Sequence, residues 1–143
     1  MSLKASEVMM LPCCKSSNLR VLVVDDHELT RLSLKFAFSS QKNIELVGMA
    51  SNGEEAIKMV ENHRPDVIIL DLQMPVMDGW SASNYIKSIY PHAQIIAYSA
   101  MEERQASSIS PKASVDAFCS KETATHDLIE LVKELGHRSG NVA

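Results

Sequence analysis

The chain contains few cysteines, and their spacing suits neither a disulfide framework nor a zinc site. The three are Cys13, Cys14 and Cys119, so two are adjacent and no Cys-x-x-Cys pair exists. The five histidines are too scattered in the sequence to form a local metal motif. This pattern is typical of a reduced protein, and we expect the chain to be cytoplasmic.

Long hydrophobic runs are also missing. The longest have about four residues, at 21–24 and 67–70, whereas a membrane span needs about 18. Near the N-terminus, the apolar stretch 8–11 stops at Pro12 and is too short for a signal peptide. We therefore expect no contact with a membrane.

Positive charge is not in excess either. The 143 residues carry 14 Lys and Arg against 18 Asp and Glu, which gives a net charge of −4. A protein that coats DNA or RNA normally presents a basic face, so we expect no direct binding of nucleic acid. The length suits one domain, and a hydrophobic fraction of 45% is enough for a buried core without disulfides or structural metal.

The sequence does contain a regular alternation of short apolar runs and helical patterns, which starts at residue 19. The runs predict five strands, at residues 19–24, 44–50, 67–70, 94–98 and 115–119. The spacing between and after them predicts helices at 28–39, from 53 to before Pro65, at 78–90, 101–110 and 125–135. This alternation predicts an α/β fold: a single doubly wound, five-stranded parallel sheet of (βα)5 type. Residues 1–18 and 138–143 are then tails around a domain at 19–137.

The helical patterns also predict local detail. The first helix is expected to bury an apolar face made of Leu29, Leu32, Phe36 and Ala37. The last helix is expected to have Thr125 as its N-cap and to stop at Gly136. The helix at 101–110 is rich in serine, which predicts a weak helix.

Five polar side chains follow the predicted strands at the carboxyl edge of the sheet, where open α/β sheets place their functional sites. They are Asp25 and Asp26 after the first strand, Asp71 after the third, Ser99 after the fourth and Lys121 after the fifth. Singly, each is more simply explained as a helix cap or a solvated surface charge. Together they bring three carboxylates, a hydroxyl and an ammonium group to one edge.

This combination indicates phosphoryl chemistry with a divalent cation. Crowded carboxylates repel one another unless a cation lies between them, and Mg²⁺ binds through one or two carboxylates plus waters and phosphate oxygens. The ammonium of Lys121 and the hydroxyl of Ser99 suit the oxygens of a transferring phosphoryl group. A carboxylate that is left over can act as a nucleophile and form an aspartyl phosphate.

Four motifs surround these strand ends. They are Val-Leu-Val-Val-Asp25-Asp26-His, Val-Ile-Ile-Leu-Asp71-Leu-Gln-Met-Pro-Val-Met-Asp-Gly79, Ile-Ile-Ala-Tyr-Ser99-Ala and Phe118-Cys-Ser-Lys121. In these motifs the chain resembles the receiver domain of two-component response regulators, in particular receivers found in front of helix-turn-helix transcription factors. The resemblance runs from about residue 19 to residue 135 and implies a flavodoxin-like strand order of 2-1-3-4-5.

The resemblance also implies a metal site and a phosphorylation site. Asp71 would accept the phosphoryl group. Asp26 would bind Mg²⁺ directly together with Asp71, and Asp25 would contact the ion through a water. The backbone carbonyl of Gln73 would complete the protein's share of the Mg²⁺ ligands.

The same resemblance implies how phosphorylation is sensed. Lys121 would pair with the phosphoryl group and Asp71, while Ser99 would take a phosphoryl oxygen. Phe118 would be the switch aromatic, which swings inward as Ser99 moves. Two features depart from many members: Phe118 stands in place of a tyrosine, and residues 110–113 replace a small-residue Gly-Ala step before the fifth strand.

The implied function is a phosphorylation-dependent signalling receiver. A sensor histidine kinase or a phosphotransfer protein would donate the phosphoryl group to Asp71, and phosphorylation would alter partner binding or dimerisation, with a homodimer as one outcome. The chain would not be an enzyme beyond its own phosphorylation and dephosphorylation.

Two alternatives belong to other classes. A Mg²⁺-dependent phosphohydrolase with an Asp nucleophile, as in haloacid-dehalogenase-like enzymes, needs a second carboxylate where this chain has Gln73, and it needs a cap insertion. The other alternative is the regulatory part of a DNA-binding transcription factor. Only residues 137–143 follow the last predicted helix, so no helix-turn-helix is expected within this chain.

Overall fold

The computed structural model describes residues 18–74, 77–100 and 114–139. The strands in this part of the chain are β1 (Leu19–Val24), β2 (Ile44–Ala50), β3 (Val67–Leu70), β4 (Gln94–Ser99) and β5 (Ala117–Ser120). The helices are α1 (Glu28–Ser39), α2 (Gly53–His63), α3 (Gly79–Ile89) and α4 (Thr125–Ser139). All five strands are parallel and form one sheet in the order β2-β1-β3-β4-β5. The predicted fold class and strand order are therefore confirmed.

Helices cover both faces of the sheet because the central strands are apolar on both sides. In β1, Val21 and Val23 pack into one core with α1 and α4, while Leu22 and Val24 pack into the other core with α2 and α3. All four side chains are fully buried. The unbroken apolar run at residues 21–24 thus correctly predicts the central place of this strand in a doubly wound sheet.

Side-chain caps start the two helices that follow β2 and β3. The Asn52 side chain accepts a hydrogen bond from the Glu55 N–H (2.9 Å), and the Glu55 carboxylate accepts one from the Ser51 N–H (2.8 Å). At the start of α3, the Asp78 carboxylate accepts from the Ser81 N–H (2.8 Å). Both caps satisfy backbone donors that the first helical turn leaves free, so the sequence predicts these helix starts well.

The first helix has its predicted bounds, but its expected apolar face is correct only in part. Three of the expected core residues are exposed: Leu29 (80%), Leu32 (39%) and Phe36 (74%). Leu34 and Phe38 are buried instead, with Ala37 partly buried beside them. Both sets of residues have helical spacing, so the periodicity alone does not decide which side of α1 packs on the sheet.

β5 is displaced along the chain from its predicted position. It spans Ala117–Ser120 instead of 115–119, and its register pairs Phe118 with Ala97. β4 continues one residue further than predicted, to Ser99. The helix predicted at 101–110 and all but the last residue of the tail predicted at 1–18 lie outside the described residues.

The last helix starts at residue 125 as predicted, but its N-cap and its end differ from the prediction. Its N-cap is Ala124 rather than Thr125, because the Ala124 carbonyl accepts the first helical hydrogen bonds, at 2.9 and 3.2 Å. α4 also continues through Gly136 to Ser139, so the predicted stop is wrong. A Cβ atom at Gly136 would lie 2.5 Å from a side-chain carbon of Leu19, and the glycine therefore allows close packing of the helix on β1. α4 is, like the other described helices, not long and apolar enough to cross a membrane.

Candidate functional site

Hydrogen bonds between neighbouring strands bring the first two site residues to one edge of the sheet. Val24 and Leu70 are partners in the β1–β3 register, and the Asp71 N–H donates to the Val24 carbonyl (2.9 Å). On the other side of β1, the Asp25 N–H donates to the Ala50 carbonyl (3.0 Å). Asp25 and Asp71 are therefore held side by side, because each directly follows a paired, buried strand.

Four side chains with metal-ligating atoms meet at this edge: Asp25, Asp26, His27 and Asp71. One ligating atom of each lies within 4.8 Å of those of the other three. Asp25 and Asp71 are only 1% and 3% exposed, whereas the Asp26 side chain is 29% exposed. The structure thus brings the three predicted carboxylates together and adds an imidazole.

Lys121 places its ammonium group between two of these carboxylates. It follows β5, where its N–H donates to the Ser99 carbonyl (2.8 Å). Its Nζ lies 2.8 Å from Asp25 Oδ2, 3.4 Å from Asp71 Oδ2 and 5.8 Å from the centre of the Tyr98 ring. Burial alone would lower the pKa of Lys121, but the contacts with Asp25 and Asp71 raise it above its usual value. Lys121 is therefore a fixed positive charge that the two carboxylates share.

The Asp71 carboxyl group holds its proton more tightly than an ordinary aspartic acid. Burial raises its pKa from 3.8 to about 6, and the charge of Asp25 also raises it. The Gln73 N–H, which donates to Asp71 Oδ1 at 3.0 Å, and the Lys121 ammonium act in the opposite direction. Without a bound cation, Asp71 is therefore only partly ionised near pH 6.

Gly79 allows α3 to begin directly against the backbone that carries Asp71. Its N–H donates to the Leu72 carbonyl (3.2 Å). A Cβ atom at this position would clash with the Asp71 carbonyl and would lie 2.6 Å from Leu72 Cα, closer than real Cβ contacts. The glycine therefore keeps the connection after β3 tight, which supports the position of the Asp71 side chain.

The two predicted switch residues lie on β4 and β5. Ser99 is the last residue of β4 and is fully buried. Phe118 is partly buried and packs against Leu72 and Ala97. Because Leu72 directly follows Asp71, the Phe118 ring is one packing contact away from the backbone of the predicted phosphorylation site.

The donor set fits a hard divalent cation such as Mg²⁺. Asp26 Oδ1 is a buried oxygen that has no hydrogen-bond partner among the described residues, with His27 Nδ1 at 3.2 Å, whereas Asp25 Oδ2 is paired with the Lys121 ammonium at 2.8 Å. With a neutral imidazole, three ionised carboxylates and one ammonium group leave an excess of negative charge. Buried carboxylate oxygens without partners are costly, and a coordinated divalent cation removes this cost.

Two residues at this edge lie outside the predicted set. His27 Nδ1 is 3.1 Å from Asp25 Oδ1 and 3.2 Å from Asp26 Oδ1, and the His27 N–H donates to Asp25 Oδ1 (2.9 Å). The Arg31 guanidinium donates to the Asp25 carbonyl (2.6 Å) from the first turn of α1. In the sequence, the Asp-Asp-His triplet indicates the contact of His27 with the two preceding carboxylates. Arg31 has no such signal, because its spacing is that of any exposed helical arginine.

Curated proteins that are similar to this chain in sequence include regulatory proteins. The response regulator receiver domain family matches residues 21–133. The response regulator protein VraR of Staphylococcus aureus is 34% identical over 116 residues, which cover 81% of this chain and 56% of VraR. The uncharacterized transcriptional regulatory protein YhcZ of Bacillus subtilis is 31% identical over 112 residues, which cover 78% of this chain and 52% of YhcZ. The chain thus spans about half the length of the curated relatives it matches.

Solved structures share the architecture. The signal receiver domain of NarL from Mycobacterium tuberculosis has a TM-score of 0.77 at 28% identity, with 84% of this chain and 97% of that chain covered. A chain of the CheX–CheY–BeF₃–Mg²⁺ complex from Borrelia burgdorferi has a TM-score of 0.76 at 26% identity, with 87% and 93% covered. On its family match, its curated relatives and its fold, this chain belongs to the response regulator receiver domain family.

Proposed function

We propose that this domain accepts a phosphoryl group on Asp71 from a histidine kinase or a phosphotransfer protein, with Mg²⁺ as cofactor. The observation that carries the proposal is the surroundings of the Asp71 carboxylate. Lys121 Nζ lies 3.4 Å from it, and ligating atoms of Asp25 and Asp26 lie within 4.8 Å of it. An acceptor oxygen, a cation site and a fixed ammonium group are the parts that phosphoryl transfer to a carboxylate requires.

The transfer forms one bond and breaks one. An Asp71 oxygen attacks the phosphorus atom of a phosphohistidine, and the P–N bond breaks. The electron pair of that bond leaves with the donor imidazole, which takes up a proton. The product is a mixed anhydride of Asp71 and phosphate. The Lys121 ammonium, which Asp25 and Asp71 hold in place, offsets the charge on the phosphoryl oxygens.

Four residues would hold the cation. Asp26 and Asp71 would bind it directly, the backbone carbonyl of Gln73 would be a further ligand, and Asp25 would bind through a water. The buried oxygen Asp26 Oδ1, which has no hydrogen-bond partner among the described residues, supports this assignment. When bound, Mg²⁺ neutralises the carboxylates and offsets charge on the phosphoryl oxygens.

Phosphorylation would be sensed through Ser99 and Phe118. A phosphoryl group carries about −1.5 to −2 charges at neutral pH, and Ser99 at the end of β4 supplies a hydroxyl for one of its oxygens. A movement of Ser99 would change the packing of Phe118 against Leu72 and Ala97. Phe118 has no hydroxyl that burial would leave unpaired, which favours an inward position of its ring.

The domain would act in the cytoplasm as a switch, not as an enzyme that turns over a separate substrate. Phosphorylation would alter partner binding or dimerisation, including a homodimer. Because VraR and YhcZ are about twice as long as the matched region, a DNA-binding output elsewhere in a longer protein is compatible with this role. The phosphohydrolase alternative has less support, because residue 73 is an amide where a second carboxylate is needed.

The test is phosphorylation with acetyl phosphate and Mg²⁺, followed by intact-mass spectrometry and peptide mapping. We expect one phosphoryl group, on Asp71, and none after chelation of Mg²⁺. Asp71→Asn should abolish the modification, and Asp26→Asn should reduce it strongly because the metal site loses a ligand. The matched control is Asp127→Asn, which removes an exposed carboxylate in the first turn of α4 and should leave phosphorylation unchanged. Full modification of Asp71→Asn would contradict the proposal.

A further inference from the structure

We propose that α3 is an output element of the Asp71 site: one face of this helix is attached to the start of β5, so a phosphoryl group on Asp71 alters the local stability of α3. We name residues 114–118, which include the first two residues of β5, the β5 entry. The inference rests on the proposed function, but the attachment exists in the free domain and can be measured there.

β5 is a short strand at the edge of the sheet, yet it carries two residues of the proposed site. It has four residues, and its strand partner among the described residues is β4. Phe118 lies within the strand, and Lys121 directly follows it. A strand this short with one neighbour has few hydrogen bonds to fix its position. The positions of Phe118 and Lys121 therefore also depend on what holds the β5 entry.

Three polar contacts attach the β5 entry to α3. The Ser114 N–H donates to Ser83 Oγ (3.2 Å), and the Ser114 hydroxyl donates to Asn84 Oδ1 (2.6 Å). The Lys87 ammonium is 2.8 Å from Asp116 Oδ2, and the two side chains are only 21% and 26% exposed. Solvent therefore screens this ion pair less than it screens a pair on the open surface.

Apolar packing joins the same two elements beside the acceptor residue. Trp80 on α3 and Phe118 on β5 both pack against the buried pair of Leu72 and Ala97. Leu72 directly follows Asp71 in the chain. Because Trp80 and Phe118 share these packing partners, an inward movement of the Phe118 ring changes the packing around Trp80.

The residues of α3 that make these contacts lie on one face of the helix. Trp80, Ser83, Asn84 and Lys87 have the spacing i, i+3, i+4 and i+7, which places them within an arc of about 100°. Tyr85, which is 46% exposed, lies about 140° from Trp80 around the helix. The β5 entry thus contacts α3 over two turns, and a displacement of β5 acts on the helix along this length.

The experiment is hydrogen exchange of the full chain, measured by mass spectrometry with and without beryllofluoride and Mg²⁺. Beryllofluoride mimics the phosphoryl group on Asp71. An inward Phe118 ring fills space beside Leu72, so we expect the α3 amides to exchange at least about fivefold more slowly relative to those of α1. α1 is the internal reference because it packs on the opposite face of the sheet.

Two variants remove different parts of the attachment. Trp80→Leu removes the ring beside Leu72, and the double variant Asn84→Ala, Lys87→Met removes polar contacts further along α3. In both, the change in α3 should fall below about twofold, while beryllofluoride still protects the residues around Asp71. Tyr85→Leu is the matched control, because it removes an aromatic ring from another side of the same helix and should keep the full change. Circular dichroism checks that each variant is folded.

The attachment itself is tested without a phosphoryl group. In the free domain, Phe118→Ala should speed the exchange of the α3 amides by about fivefold relative to those of α1. Cys119→Ala is the control, because the Cys119 side chain packs in the opposite core with α1 and α4. Trp80 is the single tryptophan of the chain, so its fluorescence emission is a second readout and should shift in Phe118→Ala.

Two results would overturn the inference while the proposed function stands. One is protection around Asp71 with no change in α3. The other is a full change in α3 that persists in Trp80→Leu and in the double variant, since the effect would then pass along the backbone between Leu72 and Gly79. If beryllofluoride does not bind but Phe118→Ala alters α3, the attachment is supported and the proposed function is contradicted. The two failures are therefore distinguishable.

Discussion

The ionised Asp71 carboxylate destabilises the folded domain. Its pKa rises from 3.8 to about 6 on folding, because the carboxyl group is buried. The stabilising contribution of the protonated group is therefore complete below about pH 4 and is lost as the pH rises through about 6. At pH 8, a rise in pKa of this size lowers the free energy of unfolding by about 3 kcal/mol. A position suited to accepting a phosphoryl group is thus one where the free domain is less stable at neutral pH.

We expect Asp71→Asn to be more stable than the parent at pH 8, by up to about 3 kcal/mol in the free energy of unfolding. The amide has a similar shape and no ionised form, although it also loses the ion pair with Lys121, which reduces the gain. The gain should disappear near pH 4, where the parent carboxyl group is protonated. Urea titrations at pH 4–8 in a chelator measure it, with Asp127→Asn as the exposed control. A stability difference that does not depend on pH would contradict the raised pKa.

For the individual site residues, the sequence predicts which side chains lie together but not which of their atoms pair. The positions of Asp25, Asp71 and Lys121 directly after strands of one parallel sheet are sufficient to predict that they share an edge. The closer contact of Lys121 with Asp25 (2.8 Å) than with Asp71 (3.4 Å) depends on side-chain rotamers and on strand register. Neither is encoded in the spacing of the residues along the chain.

Among the elements, α1 shows most clearly how an apolar pattern is divided between core and surface. Phe38 is 1% exposed and packs in the core, whereas Phe36 is 74% exposed. The two rings are identical in chemistry and lie two residues apart. Helical positions with this spacing point to different sides of the helix. Their substitutions therefore separate the effect of burial from the effect of helix propensity.

We expect Phe38→Ala to lower the free energy of unfolding by about 3–5 kcal/mol, because it removes a buried ring and leaves a cavity. Phe36→Ala should change it by less than about 0.5 kcal/mol, since the ring is already exposed. Urea unfolding of both variants at one pH is the measurement, and each serves as the control for the other. Similar losses in the two variants would show that Phe36 is buried in solution.

The elements with local signals are those whose bounds the sequence predicts. β1 carries the continuous apolar run 21–24 and has its predicted bounds, and α3 begins directly after the Asp78 cap, one residue after its predicted start. The end of α4 is different, because Gly136 is read locally as a helix stop. Its actual role depends on the packing of the glycine on Leu19, more than a hundred residues earlier in the chain. A long-range contact of this kind has no local sequence signal.

For the whole molecule, the three carboxylates at the carboxyl edge of the sheet join segments that are distant in the chain. Asp25 and Asp26 follow β1, and Asp71 follows β3, so a cation bound between them needs the folded sheet. A ligand that binds only the folded state stabilises it according to its concentration relative to its dissociation constant. Binding of a cation at this edge would therefore stabilise the folded state. Because the Asp71 carboxyl group titrates with a pKa of about 6, this stabilisation would depend on pH.

We expect Mg²⁺ to raise the Tm clearly at pH 8 and much less at pH 5. At a concentration one hundred times its dissociation constant, an ion adds about 2.7 kcal/mol to the free energy of unfolding. At pH 5, below the Asp71 pKa of about 6, most molecules carry a proton that the ion must displace, so the apparent affinity falls roughly tenfold. Thermal unfolding with and without Mg²⁺ at both pH values measures this. The increase should be lost in Asp26→Asn and kept in Asp127→Asn. An equal increase at pH 5 and pH 8 would mean that the cation does not bind the ionised Asp71 carboxylate, and the destabilisation of the free domain would then be unrelated to its metal site.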